Sequence, residues 1–340
     1  MKVIKSVLKT ILAGVTALAI LCLLMYGYYY VPLRENNKYH NTDYVWNANT
    51  PWIDLTEGVS FGVTDANGFN NAKVIENPDI LFLGSSHLQS MNVMQSENMT
   101  FLLNDKFDGK YHAYNMGISG HTFYKVVQYL QDSLNIYSQT PKYVIIETGS
   151  VILTKDDVEN ALSGEIAKTN VIDSGLVAAM YKIPYLRQFY HQLDKGMLEM
   201  LLPKDSETAS EQTSANSIQS TFIVSVDEEP YEMMFEYLQK VENDYGTEII
   251  IIYHPFETLL TDGNVDFPAD EYAETFVDYA QKYDIGFINM TEDFEKMYYE
   301  EHHVPHGFCT GELGVGHLNK FGHAAIAQRL YQYLCELEVN

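Results

Sequence analysis

Two short stretches, far apart in the chain, carry residues able to act as a nucleophile and its base. Gly84-Ser85-Ser86-His87 follows the apolar run Ile80-Leu81-Phe82-Leu83, so a serine hydroxyl stands at the end of a segment with the length of a buried strand. Near the other end, His317 precedes Asn319, a good helix N-cap. The spacing of Phe321, Ala325, Ile326, Leu330 and Leu334 then predicts a closing amphipathic helix. A histidine held on a loop at a helix start can take the proton of a serine hydroxyl and turn its oxygen into a nucleophile. The Gly-Ser-Ser string alone also suits an ordinary strand-to-loop turn; the paired histidine gives it a chemical meaning.

A metal centre is the competing chemistry. His302, His303, His306 and His317 are close in sequence, with Glu300, Glu301 and Glu312 among them. The spacing resembles that of zinc sites, but the segment is irregular and acidic and lacks a helical H-E-x-x-H frame. No metal and no cofactor is expected.

The elements that must position the serine and the histidine alternate in type. Strands are predicted at Ile80–Leu83, Tyr111–Met116, Tyr143–Glu147, Glu248–Tyr253 and Ile285–Asn289, and helices at about 124–137, 231–244 and 270–283. This is the pattern of an α/β doubly wound, flavodoxin-like fold, with five parallel strands in the order 2-1-3-4-5 and a ligand site at their C-terminal ends. The interval 153–228 is too long for a simple connection. It reads as a helical insertion followed by a Ser/Thr/Glu-rich low-complexity run, either a lid or a loop without a chemical role.

Lys2, Lys5 and Lys9 precede an uncharged stretch from Thr10 to Leu33, long enough to cross a bilayer, with Tyr26, Tyr28, Tyr29 and Tyr30 suited to the far interface. The expected layout is a cytoplasmic tail at 1–9, a membrane anchor at 10–33, a spacer with leading loops at 34–78, and an outward-facing α/β domain at 79–340. A cleaved signal peptide is the alternative, though no small-x-small site follows the apolar run. Twenty-one basic against 46 acidic residues give a formal charge of −25, which repels nucleic acid and anionic lipid and excludes nucleic-acid binding. Cys309 and Cys335, outside the anchor, either pair or stay reduced.

The chain resembles the SGNH hydrolases, the GDSL-type esterase and acyltransferase superfamily, over about residues 79–335. The family's nucleophile block falls on Gly84-Ser85-Ser86, its Ser-Gly-x-Thr block on Ser119-Gly120-His121-Thr122, and its last block on His317-Leu318-Asn319. The resemblance implies Ser86 as nucleophile, His317 as base, and an oxyanion hole from the N–H groups of Ser86 and Gly120. Two family residues are missing. Glu147-Thr148-Gly149-Ser150 has no oxyanion-hole asparagine, which leaves the Ser150 hydroxyl as a substitute. Gly314 stands where the family has its acid, so either Glu312 orients His317 or Ser86 and His317 work as a dyad. The implied activity is that of an esterase or O-acyltransferase acting on acylated, above all acetylated, envelope polysaccharide or cell-wall material, beside a membrane O-acyltransferase partner. An inactive envelope binding or scaffold protein is the alternative.

Overall fold

The strand residues Ile80–Leu83 have no polar side chain to turn to solvent, and all four are buried. They form the second strand of a five-stranded sheet in the computed structural model, which describes residues 2–25, 45–46, 48–54, 57–163, 226–267, 271–308 and 313–339. The strands are β1 (Pro51–Asp54), β2 (Ser60–Val63), β3 (Ile80–Leu83), β4 (Ala113–Asn115), β5 (Tyr143–Thr148), β6 (Glu248–Tyr253), β7 (Thr258–Leu259), β8 (Val265–Asp266) and β9 (Gly286–Asn289). The main sheet runs β4-β3-β5-β6-β9, every neighbouring pair parallel. Counted along the chain this is the order 2-1-3-4-5, as expected.

Because alternate strand residues face opposite sides, the sheet has two cores. Leu81, Leu83, Val144, Ile146, Ile249 and Ile251 pack into one, and Ile80, Phe82, Tyr143, Ile145, Ile250 and Ile252 into the other. The helices are α1 (Lys2–Met25), α2 (Ser86–Gln89), α3 (Met99–Phe107), α4 (Phe123–Gln128), α5 (Leu130–Asn135), α6 (Lys155–Ser163), α7 (Glu229–Tyr245), α8 (Glu271–Lys282), α9 (Thr291–Lys296) and α10 (Lys320–Leu337). The first face is covered by α4, α5, α7 and α8, the second by α3, α9 and α10. This is a doubly wound α/β layer structure.

Two expectations about organisation change. The segment read as a spacer with leading loops contains the antiparallel hairpin β1–β2, with Trp52 of β1 fully buried. A Cβ on Gly62 would lie 2.7 Å from the Trp52 indole, so glycine lets the two strands close over that ring. The hairpin is fastened to the main domain by Ser60 Oγ, which donates to the Met91 carbonyl at 2.5 Å, and by Gln95 Nε2, which donates to the Val63 carbonyl at 2.8 Å. The single helix expected at 124–137 is two, α4 and α5, meeting at Tyr129, whose ψ of 0° opens the turn. Most of the predicted insertion lies outside the described residues, apart from α6 and 226–228. Helix α1 has an apolar window, Ile4–Leu21, long enough to cross a membrane, and none of it is buried against the rest of the chain.

Candidate active site

The polypeptide leaving β3 is turned sharply by Gly84 and enters α2 at Ser86. Ser85 is the N-cap, extended at φ −88° and ψ −161°, and its Oγ accepts the His87 N–H at 3.1 Å. Glu147, the fifth residue of β5, reaches across from the neighbouring strand. Its carboxylate accepts the Ser85 N–H at 2.7 Å and the Ser85 hydroxyl at 3.2 Å. A Cβ on Gly84 would sit 2.4 Å from Glu147 Oε2, so only glycine leaves room for this carboxylate behind the turn. Burial raises the Glu147 carboxyl, but the hydrogen bond from His254, with the Ser85 contacts, outweighs it and holds the group below its ordinary value.

His317 arrives from the other end of the chain on a loop pinned at several points. Its carbonyl accepts the Gly307 N–H at 3.0 Å, Leu318 bridges to His306, and the Asn319 N–H donates to the Pro305 carbonyl at 2.9 Å. Asn319 is the N-cap of α10, as its sequence position indicates, accepting N–H groups of Phe321 at 2.9 Å and Gly322 at 3.3 Å. Its side-chain amide also donates to the carbonyls of Val304 and Gly307, so one residue fixes both the helix start and the loop beside His317.

These supports bring His317 Nε2 to 2.8 Å from Ser86 Oγ. His317 Nδ1 lies 2.8 Å from Glu57 Oε2, which also accepts the His317 backbone N–H at 3.2 Å. A carboxylate only accepts, so Nδ1 carries the proton and Nε2 presents its lone pair to the serine hydroxyl. The result is a continuous Glu57–His317–Ser86 line. Burial raises the Glu57 carboxyl, but the hydrogen bonds from His317 more than offset that and lower it. Gly316, at φ +99°, passes close over this carboxylate; a Cβ there would be 3.2 Å from Glu57 Oε1.

Glu57 was not singled out from the sequence. It lies in the connection between β1 and β2, the hairpin that was read as spacer. The usable signal was the strand-turn-strand pattern of Pro51–Val63, which places one carboxylate beside Gly58 at a turn. Glu312 lies outside the described residues, and the Nδ1 position proposed for it is occupied by Glu57. The dyad alternative gives way to a serine, histidine and carboxylate in line. Gly120 follows β4 with φ +83° and open space around its Cα. Ser150 is exposed after β5, its Oγ accepting the Ile152 N–H at 3.5 Å. No described contact joins Gly120 or Ser150 to Ser86.

Of the histidines considered as metal ligands, His306 is the one that stands at metal-ligand spacing from other histidines among the described residues; its companions are His87 and His254. His87 packs against His317 with ring centres 5.0 Å apart, and its Nδ1 accepts the Leu318 N–H at 3.1 Å. Burial, then the neighbouring His254, His317 and His306, keep His87 neutral far below the usual histidine range.

No family profile and no curated protein matches the chain. Among solved structures it is similar to the psychrotrophic esterase EstA from Pseudoalteromonas sp., at 15% identity and TM-score 0.38, covering 77% of this chain and 98% of that one. It is also similar to the acetyl xylan esterase AlAXEase (13%, TM-score 0.39, 75% and 98%) and to LAE5, an alpha/beta hydrolase from the metagenome of Lake Arreo, Spain (13%, 0.39, 76% and 94%). At these scores the site has to be read from its own geometry. The sheet order is that of a doubly wound α/β fold, with Ser86 on the turn after β3 and His317 on the capped loop before α10.

Proposed function

We propose that this chain is a serine carboxylic-ester hydrolase or O-acyltransferase working through an acyl-enzyme on Ser86. The observation that carries the proposal is the 2.8 Å approach of His317 Nε2 to Ser86 Oγ with Glu57 at 2.8 Å on the opposite nitrogen. In this reading Ser86 Oγ attacks the acyl carbonyl as its proton passes to His317 Nε2, and Glu57 stabilises the imidazolium that forms. The Ser86 and Gly120 N–H groups are assigned to the oxyanion. Collapse of the tetrahedral species returns the proton to the leaving alcohol. Water or a second hydroxyl, deprotonated by His317, then releases the acyl group.

The apolar exposed helix α1 supports a membrane-tethered enzyme whose substrate is acylated, above all acetylated, envelope carbohydrate, with transfer in place of hydrolysis when a sugar hydroxyl is the acceptor. The test is hydrolysis of p-nitrophenyl acetate by the full chain. Ser86→Ala should lower kcat by about 10³ or more, as expected for loss of a nucleophile. Parent activity retained in Ser86→Ala would refute the assignment. Transfer is tested by adding a soluble oligosaccharide acceptor and looking for its acetylated product; release of acetate alone, unchanged by the acceptor, would show a hydrolase.

A further inference from the structure

Behind the serine turn lies a group of side chains that the acyl-transfer reading does not use. His254 follows β6 and His306 precedes the His317 loop, and both side chains are fully buried. Their outward nitrogens are engaged by carboxylates. His254 Nε2 is 2.5 Å from Glu147 Oε1 and His306 Nδ1 is 2.6 Å from Glu257 Oε2, with all four side chains at 0% exposure. Since carboxylates only accept, those two nitrogens carry the ring protons. When both rings are neutral, the remaining nitrogens, His254 Nδ1 and His306 Nε2, present lone pairs to each other, at 3.3 Å. Two acceptors at that distance in a buried site repel unless something positive lies between them.

We infer that this is the binding site of one divalent transition-metal ion of the zinc type, held by His254 Nδ1, His306 Nε2 and His87. The inference stands independently of the acyl-transfer reading. For metal–nitrogen bonds of about 2.0–2.1 Å in a tetrahedral site, neighbouring ligand nitrogens are about 3.3–3.4 Å apart, which is the spacing found here. The two carboxylates are the outer partners that metal-bound histidines use to fix tautomer and ring orientation. A doubly charged ion also balances the two carboxylate charges that the neutral rings leave buried. His87 supplies the third ring, its centre 4.7 Å from that of His254 and 5.8 Å from that of His306. One nitrogen from each of the three rings lies within 4.8 Å of the others. His87 Nδ1 now accepts the Leu318 N–H, so ligation through Nε2 moves the ring proton to Nδ1 and releases that contact. Uptake of the ion thus shifts the residue next to Ser86 and leaves a fourth coordination position for water or a ligand oxygen.

The test uses the full chain in detergent, stripped with a chelator, re-equilibrated with Zn²⁺ or Co²⁺ and freed of excess metal. About one ion per chain should be retained, with the visible absorption of tetrahedral Co²⁺. His87→Ala should weaken binding, and Glu257→Gln, which keeps the size of the outer partner but removes its charge, should weaken it about 10–100-fold in protein whose circular dichroism matches the parent. The exposed His302→Ala is the control and should bind as the parent does. Because His254→Ala strands Glu147, its loss of binding counts only if its circular dichroism matches the parent. Folded parent protein that retains no Zn²⁺ or Co²⁺ would overturn the inference and leave a shared proton between His254 and His306. Binding unaffected by both His87→Ala and Glu257→Gln would overturn it as well, by placing the ion elsewhere.

Discussion

In the proposed acyl-enzyme mechanism the proton that leaves Ser86 is stabilised on His317, and the group in position to do this is Glu57, 260 residues earlier in the chain. Loss of the equivalent acid in the serine proteases lowers kcat by about 10⁴ through the wrong tautomer. Glu57→Gln should accordingly reduce ester hydrolysis by about 10²–10⁴, and in combination with His317→Ala should be little worse than His317→Ala alone. Steady-state kinetics on the two single variants and the double variant checks this; parent-like turnover in Glu57→Gln would remove Glu57 from the mechanism. Glu312→Gln serves as the comparison and should leave kcat within a few-fold of the parent. Ser85 acts differently from its neighbour: it caps α2 and holds Glu147. Ser85→Ala should cost about 1 kcal/mol of stability and part of the activity, but leave the nucleophile in place. Denaturation midpoints and turnover of this variant, set beside Ser86→Ala, separate the two serines. Ser86 and His317 were legible because each sits at the edge of a readable element, a strand and a capped helix. Glu57 was not, because the contact that gives it meaning is made only when the hairpin folds onto the His317 loop.

At the scale of elements, the serine turn is shaped by a side chain from the adjoining strand. Gly84→Ala would drive a methyl group into Glu147 Oε2 at 2.4 Å and Leu88 Cδ2 at 3.0 Å. Overpacking of this kind typically costs about 1–3 kcal/mol, and here it also displaces Ser86. The variant should therefore lose activity out of proportion to its fall in melting temperature; full activity at a lowered melting temperature would show that Glu147 does not set the turn. Reinstating the family's acid by Gly314→Asp should fail, because Gly314 is at φ +80° and its Cβ would lie 3.3 Å from Leu259 Cγ. The elements themselves were readable where burial is two-sided. The runs at 80–83, 143–148 and 248–253 are apolar without alternation, and all but Glu147, Thr148 and the exposed Glu248 are apolar in the structure's own strands. The hairpin β1–β2 was missed because its strands are short and not continuously apolar, with Ser60 buried and Phe61 and Val63 exposed, so its pattern is weak.

For the molecule as a whole, 46 acidic against 21 basic side chains make pH a strong lever. One group can be followed. The Glu242 carboxylate on α7 accepts the Ile249 N–H at 2.6 Å, and burial pushes it up to about 7, against the lowering effect of that hydrogen bond. A raised carboxyl pKa means that the folded chain holds a proton the unfolded chain has released. Stability should fall as pH rises from about 4.5 through about 7 and stay level above, by on the order of 1–2 kcal/mol after allowance for the group's partial exposure. Glu242→Gln should remove this slope, so denaturant unfolding should show the variant gaining on the parent at pH 8 relative to pH 5. An equal difference at both values would assign the pH dependence to other acids. The doubly wound order of the sheet was readable from alternating strands and helices, and it puts the serine turn at the C-terminal end of a central strand, where the His317 loop also arrives. His306 stood out in the sequence only as part of the His302–His306 group, and nothing in the pattern indicated that Glu147, His254 and Glu257, far from it along the chain, meet it behind that turn.

The most direct test of the acyl-enzyme account is mass spectrometry of the full chain after treatment with a serine-directed fluorophosphonate. The adduct should appear once, on the peptide containing Gly84-Ser85-Ser86, with fragmentation locating it on Ser86, and should be absent in Ser86→Ala and strongly diminished in His317→Ala. An unlabelled parent chain, or a label that persists in Ser86→Ala, would contradict it.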